Sequence, residues 1–212
     1  MDRVTDPWSG KHPRVVQGIA LWTLLWTEGK ALIPWDFRVY DKPQGGKTKN
    51  EHFQEMLRKA RERGFRPEYV LMDSWYASLK NLKLIASFGW FFLTRLKSNR
   101  LVNPDRQGNR PIREVEIPPE GRVVHRKGFG LVRVFRTVSP NGDAEYWATN
   151  DLKMTEEKRQ ELEKKGWGIE VYHRGLKQCC GVERAQGRKF ASGLAGLFAA
   201  GGGSLADRGE WV

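Results

Sequence analysis

Apolar and polar positions shift in period along this chain, and the shifts divide it into elements. Residues 14–27, "RVVQGIALWTLLWT", are apolar, β-branched and aromatic, and "ALIPWDFRVYD" repeats that character after a break at "EGK". Two such runs around a Gly-containing break predict a hairpin of long strands turning at Glu28-Gly29-Lys30. Beyond the polar loop "DKPQGGKTKN" the period becomes helical. Phe53, Met56, Leu57 and Ala60 make one stripe, Thr48 or Asn50 can cap it, and Gly64 stops it. A short apolar strand, Tyr69 to Met72, breaks at Asp73-Ser74; a helix follows over "LKNLKLIASFG", then a strand over "WFFLTRL". Strands alternating with helices predict an α/β layered fold.

From about residue 99 to 151 the pattern changes again. Short runs ("REVEIP", "GRVVHRKG", "GLVRVFRTV", "EYWATND") are split by Gly, Pro and Asn, which predicts an antiparallel β-rich insertion. The segment "MTEEKRQELEKKGWGIEVYHRGLKQCC" is then helical, with Thr155 as N-cap and a kink near Gly166 and Gly168. The last stretch, 191–212, is Gly/Ala-rich and nearly devoid of cations, and it lacks helical order. The chain therefore reads as one domain over 1–190, with an aberrant, weakly ordered tail at 191–212.

Composition narrows the class. A 212-residue chain that is 39% hydrophobic, with nine Trp and ten Phe, can bury a core and is too aromatic for disorder. No apolar run of about 18 residues exists, so no membrane partner is expected, and the N-terminus has no apolar core of a signal peptide. The only cysteines, Cys179 and Cys180, are adjacent. They suit neither a structural crosslink nor a zinc site, and are expected to be reduced thiols of a cytosolic protein. Against this background, 37 Lys plus Arg over 25 Asp plus Glu gives a net charge of +12, which favours polyanions and nucleic acid first.

Two carboxylates stand out. At helical spacing Glu170, His173, Arg174 and Lys177 share one face, while Ile169, Tyr172 and Leu176 share another. An ordinary solvated face with a Glu170–Arg174 pair would contribute only roughly 0.3–0.5 kcal/mol. Asp73 follows a buried strand, where side chains in α/β folds border the ligand crevice; the bland alternative is an Asx turn. Carboxylates from distant segments, with cations alongside, suit metal-assisted phosphoryl transfer, in which hard oxygens hold divalent ions.

The runs "DFRVYDKP", "VLMDSWYAS" around Asp73, "GWFFLTRLKSNRLV" and "WGIEVYHRGLKQCCGVERAQGR" around Glu170 resemble the DDE transposases of bacterial insertion sequences. Within these, the chain is most similar to the insertion-sequence-four superfamily and its seven-oh-one-like branch, from about Trp8 to Arg188. The resemblance implies a ribonuclease H-like core with a β-rich insertion before the catalytic Glu helix. It also implies Mg²⁺ or Mn²⁺ as cofactor, DNA as partner, a homodimer in the intact relative, and a cytoplasmic, nucleoid-associated bacterial location. Asp73 corresponds to the second catalytic and metal-binding carboxylate and Glu170 to the third, with Lys177, Arg174 and His173 facing DNA. Trp75 and Tyr76 would pack under the site.

The family signature runs Tyr, two residues, Arg, three residues, Glu, six residues, Lys. Glu170 and Lys177 keep the last gap, but Glu163 and Gly166 stand where Tyr and Arg are expected; Arg174 or Lys165 is the expected substitute for that arginine. The first catalytic Asp of the family lies on a strand preceding the hairpin. Asp2 and Asp6 do not take that role, and Asp36 and Asp41 read as structural. The expectation is thus a ribonuclease H-like core lacking its first strand, from a transposase that cleaves and transfers DNA strands. The chain itself is expected to be inactive, and the alternative is a DNA-binding remnant without catalysis.

Overall fold

A computed structural model describes residues 8–9, 14–15, 20–28, 31–40, 46–139 and 141–178. Asp2, Asp6, Asp41, Cys179, Cys180 and the 191–212 tail lie outside the described residues. Contacts divide the chain into two compact units, one built from 1–47 and 167–212 and the other from 48–166.

The first unit contains the expected hairpin. Two short strands, β1 (Trp8–Ser9) and β2 (Arg14–Val15), pair antiparallel, and β3 (Ala20–Glu28) pairs antiparallel with β4 (Ala31–Tyr40). The hairpin register slips between Leu24, opposite Asp36, and Leu25, opposite Pro34. That bulge falls beside Pro34, which has no N–H for a regular ladder. Asp36 accepts a hydrogen bond from Arg38 at 3.2 Å, consistent with a structural role. Among the described residues the hairpin forms a two-stranded sheet of its own, so it does not extend the layer that the alternation of elements predicts.

The second unit opens with helix α1 (Lys49–Glu62). Thr48 is its N-cap, and a reciprocal capping box joins Thr48 and Glu51, each side chain bonding the other's backbone N–H. Met56, Leu57 and Ala60 are buried. Strand β5 (Tyr69–Met72), helix α2 (Leu79–Ser87) and strand β6 (Phe91–Leu96) form a βαβ unit, because β5 and β6 pair in parallel and require a crossover.

The insertion continues this sheet. Strands β7 (Leu101–Asn103), β8 (Arg110–Pro111), β9 (Arg122–Arg126), β10 (Gly130–Val138) and β11 (Ala144–Thr149) complete the order β5-β6-β11-β10-β9-β7-β8. Every pairing but β5–β6 is antiparallel. The run "REVEIP" is not a strand: Ile112–Glu114 form a 3₁₀ turn, and the following residues stay unpaired although Val115 and Ile117 are buried. Pro111 before it and Pro118-Pro119 after it remove the donors that a ladder would use.

Helix α3 (Glu156–Gly166) packs on β5, and α2 packs on β6. Leu162 of α3 joins Leu93, Phe135, Trp147 and Met154 in one cluster edged by Tyr69 and Leu71. Phe92 and Thr94 alternate away from Leu93 and are fully buried as well, so β6 has no wet face at its centre. Thr155 caps α3 through Lys158 N–H, as its sequence predicts. The kink is a clean break at Trp167, after which α4 runs over Gly168–Gln178 in the first unit. Among the described residues, no helix is long and apolar enough to cross a membrane.

Candidate active site

Asp73 begins where β5 stops. Its Oδ1 accepts the Trp75 N–H at 2.8 Å, and its carbonyl accepts the Tyr76 N–H at 3.3 Å, so the Asx turn is real. The same turn leaves the Asp73 carboxylate exposed at the C-terminal end of a parallel strand. The carbonyl also accepts the hydroxyl of Thr94, which is fully buried on β6. Turn and neighbouring strand therefore hold the backbone of one acid in place.

The next two residues diverge. Tyr76 stacks on Phe53, with ring centroids 4.8 Å apart, and burial, aided by Asp73, pushes its phenol up to about 12. Trp75 does not pack under the site as expected; it is 72% exposed. The turn that brings its N–H back to Asp73 sends its indole outward, with Lys49 Nζ and Lys97 Nζ each 5.6 Å from the ring centre.

Asn81 organises the floor below. It is fully buried, accepts from Gln54 Nε2 at 2.8 Å and donates to Asn50 Oδ1 at 2.8 Å and to the Tyr76 carbonyl at 2.9 Å. One amide thus ties α1, α2 and the Asp73 turn together. A polar residue on the apolar stripe of Leu82 and Ile85 was the signal in the sequence. Thr94 carried none, because a Thr in a strand is ordinary. On the outer side of the same helices, Arg58, Lys80 and Lys83 line an open groove with Gln54, Leu84 and Ser87.

Helix α4 presents the other acid. Glu170 lies in its first turn, where a carboxylate complements the helix dipole, and Glu170, Arg174 and Lys177 are exposed. Among the described residues no ion pair joins Glu170 to Arg174. His173 is half-buried instead, its Nε2 lying 3.2 Å from Thr23 Oγ1 of β3. Burial lowers the imidazole below its ordinary value, Lys177 adds to that, and Glu170 opposes it. Near the break, Glu163 accepts from Arg159 at 2.6 Å, and Lys165 pairs with Glu161 at 2.7 Å. Both substitutes expected for the absent arginine, Arg174 and Lys165, are exposed, and Lys165 is ion-paired within α3.

The described residues contain no cluster of three or more His, Cys, Asp or Glu able to hold a metal ion. Asp73 and Glu170, each exposed on its own unit, have the hard oxygen donors that Mg²⁺ and Mn²⁺ prefer.

The described residues thus combine a mixed α/β fold with an exposed carboxylate at a parallel strand end, in a chain of net charge +12. Residues 30–199, well over half of the chain, match the family model described as the transposase DDE domain, and the chain belongs to that family. No curated protein matches it. Membership implies a role in DNA transposition and contact with DNA, and domains of this family generally use divalent metal ions.

Proposed function

We propose that this chain carries part of the catalytic centre of a transposase of the insertion-sequence-four superfamily, seven-oh-one-like branch. Its β5-α2-β6 unit corresponds to the later strands of a ribonuclease H-like core. Asp73 and Glu170 supply carboxylate oxygens to the divalent ions. When bound, Mg²⁺ or Mn²⁺ would lower the barrier to attack on a DNA phosphodiester by neutralising charge on the reacting oxygens. The chain's own residues orient and bind. Thr94 and the Asx turn fix Asp73, Arg174 and Lys177 contact the DNA backbone, and His173 anchors the same helix to Thr23 beside them.

The observation that carries this reading is the Asp73 carboxylate, exposed at the end of β5 and pinned through its own backbone. Nicking of supercoiled plasmid in Mg²⁺ or Mn²⁺ tests it. Asp73→Ala and Glu170→Ala should each abolish any residual nicking while leaving DNA binding intact. Arg174→Ala with Lys177→Ala should lower the salt dependence of duplex binding, by roughly 0.9 per lost phosphate contact in the log–log slope. Binding without any nicking would instead support a non-catalytic DNA-binding domain acting in the cytoplasm on chromosomal DNA. Sedimentation of the DNA complex would read out the dimer expected of its relatives.

A further inference from the structure

Trp75 is the most exposed large hydrophobic side chain among the described residues, at 72%. A single exposed apolar residue needs no special explanation. Three features set this one apart. Its backbone is fixed, because its N–H donates to Asp73 Oδ1 and the turn closes through Tyr76 N–H to the Asp73 carbonyl. The indole is therefore presented from a defined point two residues from the carboxylate. It is bracketed by cations from two different elements, Lys49 at the start of α1 and Lys97 just after β6. Finally, both ammonium groups stand over the indole at 5.6 Å from its centre, near the outer limit of about 6 Å for cation–π attraction, and the side chain is still 72% exposed.

A solvent-exposed indole with two ammonium groups beside it is the local chemistry of a single-strand nucleic-acid subsite. The ring takes a base by stacking, and the cations take the phosphates on either side. A paired base cannot use it, since both its faces are already stacked in the duplex. We propose that Trp75 is a stacking platform for an unpaired nucleobase, with Lys49 and Lys97 contacting the adjoining phosphates, so that a frayed or single-stranded nucleotide is held beside Asp73. That the polymer is DNA rests on the transposase reading; the stacking itself does not depend on metal or catalysis.

The test is fluorescence anisotropy of the full chain, in EDTA, with a short labelled single strand and with the fully paired duplex of the same sequence. Trp75→Ala should weaken single-strand binding about tenfold and leave duplex binding unchanged, and Trp75→Phe should recover most of the loss. Lys49→Ala with Lys97→Ala should lower the single-strand salt slope by roughly 0.7 per lysine, whereas Trp75→Ala should leave that slope unaltered. Equal loss on both probes, or none on either, overturns the proposal. Because metal is absent, failure of Asp73→Ala to abolish nicking would sink the catalytic reading without touching this result. Loss of single-strand preference in Trp75→Ala would stand even if the chain never nicks.

Discussion

The Thr94 hydroxyl donates a hydrogen bond of 3.1 Å to the Asp73 carbonyl, joining the residue just past β5 to the neighbouring strand. Met72 and Thr94 are register partners, so this contact extends the parallel ladder by one residue beyond its last backbone pairing. Thr94→Val preserves shape and removes the donor. Stability should fall by about 1 kcal/mol, measured as a shift in urea midpoint. Metal-dependent nicking should fall while duplex binding is retained, because the acid loses its anchor and the cations do not.

Asn81 should be more sensitive. Asn81→Leu fits the surrounding apolar stripe yet deprives Gln54, Asn50 and the Tyr76 carbonyl of a partner in one step. Buried groups left unpaired cost about 1–3 kcal/mol each, and partial relaxation keeps the sum to roughly 2–4 kcal/mol. Urea unfolding of Asn81→Leu against wild type measures this directly.

Gly121 marks a turn that tolerates no side chain. Its φ of +82° is left-handed, and an added Cβ would lie 2.7 Å from the Phe135 ring and 2.9 Å from the Val134 carbonyl. Phe135 is fully buried in the core and cannot move aside. Gly121→Ala should lower stability by roughly 2–4 kcal/mol, from backbone conformation and overpacking together. Thermal or urea unfolding checks it.

His173 sets a pH dependence. Its folded value lies below the unfolded 6.5, because burial disfavours the charged ring. Below about pH 6.5 the unfolded chain then binds more protons than the folded one, so stability declines as pH falls toward the folded value. Above the unfolded value both states are neutral and the stability is fully present. Urea midpoints between about pH 7.5 and 5 should fall for wild type and fall less for His173→Gln.

Much of the local structure is legible in the sequence. A cap at the start of α1 (Thr48, one of two candidates with Asn50), the strand over Tyr69–Met72 and the break between α3 and α4 all follow from residues within a few positions of each other. Helical spacing likewise groups Glu170, Arg174 and Lys177, which are exposed, but it groups His173 with them, and that residue is half-buried against Thr23. Side-chain period, capping and donor loss at proline act over one or two turns, so they are written in consecutive residues.

Other features were decided only by folding. "REVEIP" has a strand's composition, but flanking prolines and a 3₁₀ turn keep it out of the ladder. β11 pairs with β6, although some fifty positions separate them in the chain, and among the described residues the hairpin strands β3 and β4 pair only with each other. Trp75 points to solvent and Tyr76 stacks half-buried on Phe53, though either ring could fill an apolar gap. Consecutive residues were enough to place the helices, most of the strands and both acids along the chain. Tertiary structure alone decided which distant polar groups meet and which aromatic ring is left outside. Those outcomes depend on long-range closure and on the competition of many side chains for one limited interior, which no neighbouring residue records.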